Sequence, residues 1–473
     1  MQPNKTRSQR RLAALFSGVA LLGALAAPAQ AQMGGIPLIR DTEIEEILHR
    51  EADGVFAAAG VPNTKIYLVG DKQLNAFTPG GANVFLNTGL IQETETPNEL
   101  VGVIAHETGH VAGGHIARQG EMQRAGMVPM ILTMGLGILA AAAGAPDAAA
   151  ALLSSSQYFG ELGALGYSRE TEGRADQAAV GFLETAGVSG RGLVGFFDNF
   201  RYMEVFDEAR RFPFFQSHPI SSNRIELLRR RVEEQKHFNV IDTPEAIAEH
   251  AIMKAKLAAF MEAPQQTFIK YKENDPSFPA RYARAIAYYR QLDTERALGL
   301  IDGLLLEQVK NPYLWELKGQ VLFEGGRSKE AEEPFRRSVE LKPNAPLLQI
   351  LLARALLAND SGKIDQAKTA DAIAHLQAAL RVEEDNSDAW RLMAQAYDAQ
   401  GKDGQARLAS AEERFSLGDM PQARIFALRA RQRLTQNTPE WRRATDIVLV
   451  SNPTDDDLKA LGKDKSGFAE AAR

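Results

Sequence analysis

The chain has 473 residues, a formal net charge of −6 and no cysteine. The missing cysteine excludes disulfides, thiolate metal sites and cysteine nucleophiles, and the acidic balance argues against a nucleic-acid partner. A chain of this length divides into two or three domains, each large enough to bury its own core.

Residues 1–31 read as a secretory signal peptide. Lys5, Arg7, Arg10 and Arg11 give a positive start, Leu12 to Ala27 an apolar run, and Ala29-Gln-Ala31 a small-x-small cleavage site. An uncleaved membrane anchor is the lesser reading. Cleavage would start the mature chain at Gln32 and move the net charge to about −10. The expected organisation is a first domain at 32–240, a helical connector at 241–277, a repeat array at 278–437 and a tail at 438–473.

From Asp41 to about Ala58, Ile44, Ile47, Leu48 and Val55 fall on one side of a helix that Asp41 or Thr42 can cap. Lys65–Val69 and Ala82–Asn87 then read as short strands with a turn at Thr78-Pro-Gly-Gly81. An open edge here could pair with an extended polypeptide, main chain to main chain. An ordinary core hairpin accounts for these residues equally well.

The next stretch, Glu99 to His110, carries Leu100, Val103 and Ile104 at helical spacing and His106, Glu107 and His110 in the order H-E-x-x-H. Two histidines four apart project from one helix face and can reach one tetrahedral Zn²⁺. Glu107 can take the proton of water activated by that metal. This chemistry implies hydrolysis of a carbonyl compound, most often a peptide bond. Gly109, Ala112, Gly113 and Gly114 leave room for another backbone on the metal side.

Residues 126–146 carry no charge over a length that could span a bilayer. A single crossing would strand any downstream zinc ligand on the far side. The segment is therefore expected to be an apolar helical hairpin that covers the cleft or touches a membrane surface without spanning it. Pro129, Gly135, Gly137 and Gly144 argue against one long helix. A second helix is expected from a cap at Ser168, with Glu172 and Asp176 on one face; one can ligate zinc while the other accepts a hydrogen bond from a ligating imidazole. His115 is the rival ligand, but on a continuous helix it lies about 180° from His106. His49, His237, His250 and His375 lack ligand spacing and read as structural. A loop, Phe212 to Pro219, then leads into a helix from Ser221.

A 34-residue repeat begins near Phe278. Trp315, Gly319, Leu322, Gly326, Ala331, Phe335 and Pro343 fit tetratricopeptide spacing, and Trp390, Ala394, Tyr397, Gly401 and Ala406 repeat the phase, with an insertion expected near Asn359 to Lys368. Stacked helix pairs form a concave surface suited to holding polypeptide.

His106-Glu-Thr-Gly-His110, Glu172-Gly-Arg-Ala-Asp176 and Ser217-His-Pro219 with Arg224 together resemble the M48 zinc metallopeptidases, over roughly Arg40 to Arg230. The signal peptide and repeat tail resemble its periplasmic branch. The resemblance implies an α+β zincin-like domain, mostly helical with a small sheet, followed by an all-α tetratricopeptide solenoid. It implies one Zn²⁺ per chain on His106, His110 and Glu172, with Glu107 as base, Asp176 supporting a ligand, and no organic cofactor. It favours a position for His218 facing the cleft, where the imidazole could donate to a developing oxyanion or could ligate the metal and keep the enzyme latent. Arg224 could orient that loop or the substrate carbonyl.

The function expected is a periplasmic zinc endopeptidase that degrades misfolded or stalled outer-membrane proteins. Its repeats would recruit substrate or the outer-membrane assembly machinery, with peripheral membrane contact and no nucleic acid. The rival is a periplasmic chaperone or scaffold for outer-membrane protein assembly with little constitutive proteolysis. Without cysteine no disulfide can tie the repeats to the peptidase, which leaves their relative orientation open.

Overall fold

A computed structural model describes residues 32–33, 36–115, 117–142, 145–205, 214, 217–219, 221–358 and 364–462. The expected leader lies outside them. Two short strands, β1 (Gln32–Met33) and β2 (Ile36–Ile39), precede helix α1 (Thr42–Ala58). Asp41 caps α1 by accepting from the Ile44 amide at 3.0 Å, and Ile44, Ile47, Leu48, Val55 and Phe56 on one face are buried. Strands β3 (Lys65–Val69), β4 (Ala76–Phe77) and β5 (Asn83–Asn87) complete a sheet of order β1-β2-β3-β5-β4.

Here the strand reading needs correction. β3 and β5 are parallel neighbours, and the turn after Thr78 belongs to β4, which pairs antiparallel with β5. Two parallel strands need a crossover longer than a turn, and residues 70–82 supply it. Only the two-residue β4 lies at that edge of the sheet, a short template for an incoming strand.

Helices α2 (Thr88–Glu93) and α3 (Pro97–Gly113) follow. Thr96 caps α3 by accepting from the Glu99 amide, while the Glu99 carboxylate reaches back to the Glu95 amide at 2.7 Å. Leu100, Val103 and Ile104 are fully buried in the core of the first domain.

Then come α4 (Gln119–Ala142) and α5 (Pro146–Ala186), an antiparallel hairpin. The hairpin is as expected, but both helices are longer than the sequence suggested. α4 continues through Pro129 and its glycines, and α5 starts at Pro146 and passes through Ser168 without a break. The glycines serve packing instead of ending the helix. A Cβ on Gly163 would stand 2.3 Å from the Ala125 carbonyl oxygen, and the Gly126 position meets the Gly160 carbonyl at 3.0 Å, so the two backbones touch along this seam. Helices α6 (Arg191–Val205) and α7 (Ser222–Glu233) close the core on the other side of α3 and α5.

A connector of α8 (Pro244–Met261) and α9 (Pro264–Lys270) leads to the repeats: α10 (Phe278–Arg290), α11 (Thr294–Glu307), α12 (Pro312–Glu324), α13 (Ser328–Leu341), α14 (Pro346–Leu357), α15 (Gln366–Leu380), α16 (Ser387–Ala399), α17 (Asp403–Ser416) and α18 (Met420–Arg431). Trp315 and Trp390 occupy equivalent places, each indole N–H donating to a carbonyl six residues upstream. Half of the stretch where the insertion is expected, residues 359–363, lies outside the described residues. The region expected as a tail carries α19 (Pro439–Val450) and α20 (Asp455–Gly462), whose Ala444, Ile447, Val448 and Leu461 join the core of the last repeats.

The orientation left open by the absence of disulfides is fixed by buried polar contacts at the start of α1. Lys256 pairs with Asp41 at 2.8 Å and Glu43 at 2.9 Å, and the Tyr282 hydroxyl donates to Glu43 at 2.9 Å. Arg40 bridges Glu45 and Glu383 at 2.7 and 2.6 Å. Removing one partner of such a network would strand a buried charge.

Candidate metal centre

Helix α3 presents His106 and His110 one turn apart on its inner face, and α5 crosses that face. Gly109 permits the crossing: a Cβ there would meet the Ala175 carbonyl oxygen at 2.7 Å. The close approach carries Glu172 and Asp176 to the histidines. From a third direction, the segment before α7 delivers His218. Its amide donates to the Phe214 carbonyl at 2.8 Å, and its ring lies 4.7 Å from the fully buried Phe214 ring. Phe212 and Phe215 of the same loop lie outside the described residues.

Four side chains converge: His106, His110, Glu172 and His218, all buried. His106 Nε2 is 3.2 Å from His110 Nε2, 3.2 Å from His218 Nδ1 and 3.3 Å from Glu172 Oε2. Glu172 is 3.4 Å from His110 Nε2 and 3.0 Å from His218 Nδ1. A tetrahedral ion with bonds of about 2.0 Å has ligand–ligand edges of about 3.3 Å, so these donors stand where a four-coordinate metal needs them. They could hold a metal ion as a closed set.

The surrounding residues orient the donors. His106 Nδ1 meets Asp176 Oδ1 at 3.0 Å, which leaves Nε2 directed at the centre. Arg224 donates through Nε and Nη2 to both Asp176 oxygens, lies 3.2 Å from Glu172 Oε2, and donates to the Pro219 carbonyl at 2.9 Å. One guanidinium thus ties α5 to the His218 loop. Burial opposes charge on His106, but Asp176 and Glu172 outweigh it and raise its pKa to about 9. Burial, followed by the neighbouring His106, lowers His110 to about 2. Burial alone would raise the Glu172 carboxyl; hydrogen bonds to His106 and His218 hold it well below the usual range. The donor set therefore shares positive charge unevenly, and a divalent cation would satisfy all of it.

Glu107 differs from the other carboxylates. It is buried, neither oxygen has a hydrogen-bond partner, and burial raises its pKa. Its Oε1 lies 3.3 Å from His218 Nε2, without hydrogen-bond alignment. A buried carboxylate without a hydrogen bond, beside a cation cage, can accept a proton.

His115 departs from expectation. Helix α3 ends at Gly113, and Gly114 takes φ of +61°, a left-handed conformation that turns the chain back. His115 Nδ1 consequently lies 3.0 Å from His110 Nδ1 instead of facing away. It touches the outer nitrogen of His110, as Asp176 touches that of His106, and stays outside the donor set. The Gly113-Gly114 pair was the available signal for this helix end. His49, His237, His250 and His375 lie outside the cage.

Residues 39–232 match the model for peptidase family M48, and residues 282–346 and 352–416 match the tetratricopeptide repeat. The beta-barrel assembly-enhancing protease of Yersinia pestis is 25% identical over 400 residues, 82% of this chain and 79% of that protein. The protein of the same name in Escherichia coli is 25% identical over 403 residues, with the same two shares. Metalloprotease YcaL of Escherichia coli is 33% identical over 184 residues, 37% of this chain and 65% of that protein. The chain thus carries an M48 peptidase domain followed by tetratricopeptide repeats.

Proposed function

We propose that this M48 metallopeptidase is a zinc-dependent endopeptidase of the bacterial periplasm that degrades misfolded or stalled outer-membrane proteins. The observation that carries the reading is the cage of His106, His110, Glu172 and His218 beside the buried Glu107, whose oxygens make no hydrogen bond. The relatives named for beta-barrel assembly support the substrate class. Residues 1–31, read as a leader, support the compartment.

His106, His110 and Glu172 would hold Zn²⁺, with Asp176 fixing the His106 tautomer and Arg224 fixing Asp176. When bound, the ion supplies Lewis-acid activation of water and of the scissile carbonyl. Glu107 takes the proton of the attacking water and passes it to the leaving amine. The repeats bring extended polypeptide or the assembly machinery to the peptidase.

A second reading is favoured by one contact. His218 Nδ1 occupies the fourth corner of the cage, where water or substrate would have to enter, so of its two expected roles the geometry favours the latch. The resting protein would then act mainly as a scaffold and cleave after the His218 imidazole withdraws.

The test is digestion of a urea-unfolded outer-membrane β-barrel protein by purified wild type and His218→Ala, with and without a metal chelator. Chelator-sensitive cleavage that is faster in His218→Ala at equal metal content is expected. Cleavage indifferent to chelator would sink the zinc assignment, and a large fall in His218→Ala would return that residue to the oxyanion role.

A further inference from the structure

The hairpin of α4 and α5 inverts the usual arrangement of side chains. Along α4 the inward face, Gly126, Pro129, Met130 and Thr133, packs on α5, while the outward face exposes Met127, Val128, Ile131, Leu132, Leu136, Ile138 and Leu139. Leu132 and Leu139 are 63% and 66% exposed. From Met122 to Pro146 the only charged residue is Arg124. A contiguous apolar face of this kind on a water-soluble domain marks a surface that is covered.

Its chemistry selects the occupant. A protein interface needs about one hydrogen bond per 100–200 Å² and a polar rim. This face offers neither. The one hydroxyl of α4, Thr133, donates to the Pro129 carbonyl of its own helix. On α5, Ser154, Ser155 and Ser156 each donate to the carbonyl three residues back. Hydroxyls turned inward in this way need nothing from their surroundings, which is the condition that lipid imposes. At the base of the hairpin the exposed Glu121, Glu161 and Glu170 accept from Tyr167, Gln157 and Arg174, whereas Arg124 and Arg169 are exposed and make no ion pair among the described residues, which leaves these two cations for anionic headgroups. Asp147 sits exposed at the far tip. A charge at each end, Arg124 about 27 Å along α4 from the end of that helix and Asp147 just beyond the turn, is accommodated when the helix lies along the interface and not when its tip is driven through the bilayer.

We propose that the outward face of α4 beds side-on into an anionic phospholipid surface. The inference stands apart from the proteolytic reading, because its test measures lipid binding. It has a consequence for that reading. The helix that continues from the hairpin carries Glu172 and Asp176, nine and thirteen residues beyond Gly163, so the cage would sit within roughly 20 Å of the headgroups.

The chain beginning at Gln32, which contains every described residue, is floated with vesicles of phosphatidylethanolamine and phosphatidylglycerol. Wild type is expected to float, and a Leu132→Glu/Leu139→Glu variant to bind at least about tenfold less, with unchanged melting temperature and metal content. Leu132→Trp and Leu139→Trp, made separately, are expected to be quenched equally by brominated acyl chains. Wild type remaining at the bottom, or the double variant floating equally, would overturn the proposal. So would a wild-type dimer that the double variant abolishes, because a second copy would then be the occupant. Strong quenching at 139 with none at 132 would mean tip-first insertion and would overturn the side-on geometry.

Discussion

Helix α5 holds two opposite departures from ordinary folding. Its C-terminal part buries charged groups, Glu172 and Asp176, among histidines. Its N-terminal part exposes Leu153, Tyr158, Phe159 and Leu162 to solvent. Each arrangement costs free energy in an isolated, soluble domain, and each implies something that offsets the cost: a cation at one end and an apolar phase at the other. Buried polar and exposed apolar residues are therefore the informative ones, and this single helix carries both kinds.

The largest effect is expected beside the buried end of α5. Glu107→Gln keeps the shape of the side chain and the donor set intact while removing the proton acceptor. Cleavage of an unfolded protein should fall about a hundred- to ten-thousandfold with metal content unchanged, as measured by initial rates and elemental analysis. Full metal occupancy with undiminished cleavage would show that the buried carboxylate is structural.

Helix period puts His106, Glu107 and His110 together, and separately Glu172 with Asp176, without knowledge of tertiary structure, whereas His218, in a loop, was directed to the cleft only by the family resemblance. The crossing that unites the two helices left a trace at Gly109, where only a missing side chain allows the backbones to meet. What could not be read was non-local. Whether Pro129 and the hairpin glycines break a helix depends on the neighbour, and α5 turns them into a packing seam. The direction of His115 hinged on one left-handed residue, Gly114, which outweighed the helical projection. The parallel pairing of β3 with β5 leaves no mark in strands whose alternation fits a hairpin equally well.

Burial of a polar group is not in itself a sign of chemistry, and His250 is the control. It is buried, its Nε2 donates to the Thr94 carbonyl at 3.2 Å, and its Nδ1 has no partner. Burial, with Lys254 nearby, lowers its pKa from 6.5 to about 4. The unfolded chain therefore binds a proton below pH 6.5 that the folded chain refuses until about pH 4. Stability attributable to this group is present above pH 6.5 and lost as pH falls through that window, by roughly 3 kcal/mol in full. Denaturant unfolding of wild type and His250→Gln across that range should show a steeper acid loss in the wild type. Parallel curves would mean that His250 titrates normally.

A smaller effect separates residues that hold the cage from those that form it. If His110 Nε2 faces the metal, its Nδ1–H donates to His115 Nδ1, and His115→Ala removes that acceptor while leaving every donor. Metal affinity, from competition with a chromophoric chelator, should weaken by roughly ten- to a hundredfold, well short of the loss expected from Glu172→Ala. Unchanged affinity would reduce the His115 contact to incidental packing.

The smallest effect belongs to the exposed end of α5. Leu153 is 42% exposed on the hairpin, and its side chain contributes little burial to the folded chain in water. Exchange for serine removes apolar surface that was already solvated and leaves the helix backbone intact, so chemical denaturation should change by less than about 0.5 kcal/mol. Leu183, on the same helix thirty residues on, is fully buried, and the same exchange there would leave a cavity in the peptidase core. If Leu153→Ser were instead to destabilise the isolated chain by several kcal/mol, the hairpin would be packed against protein in solution, and the contrast between the two ends of α5 would vanish.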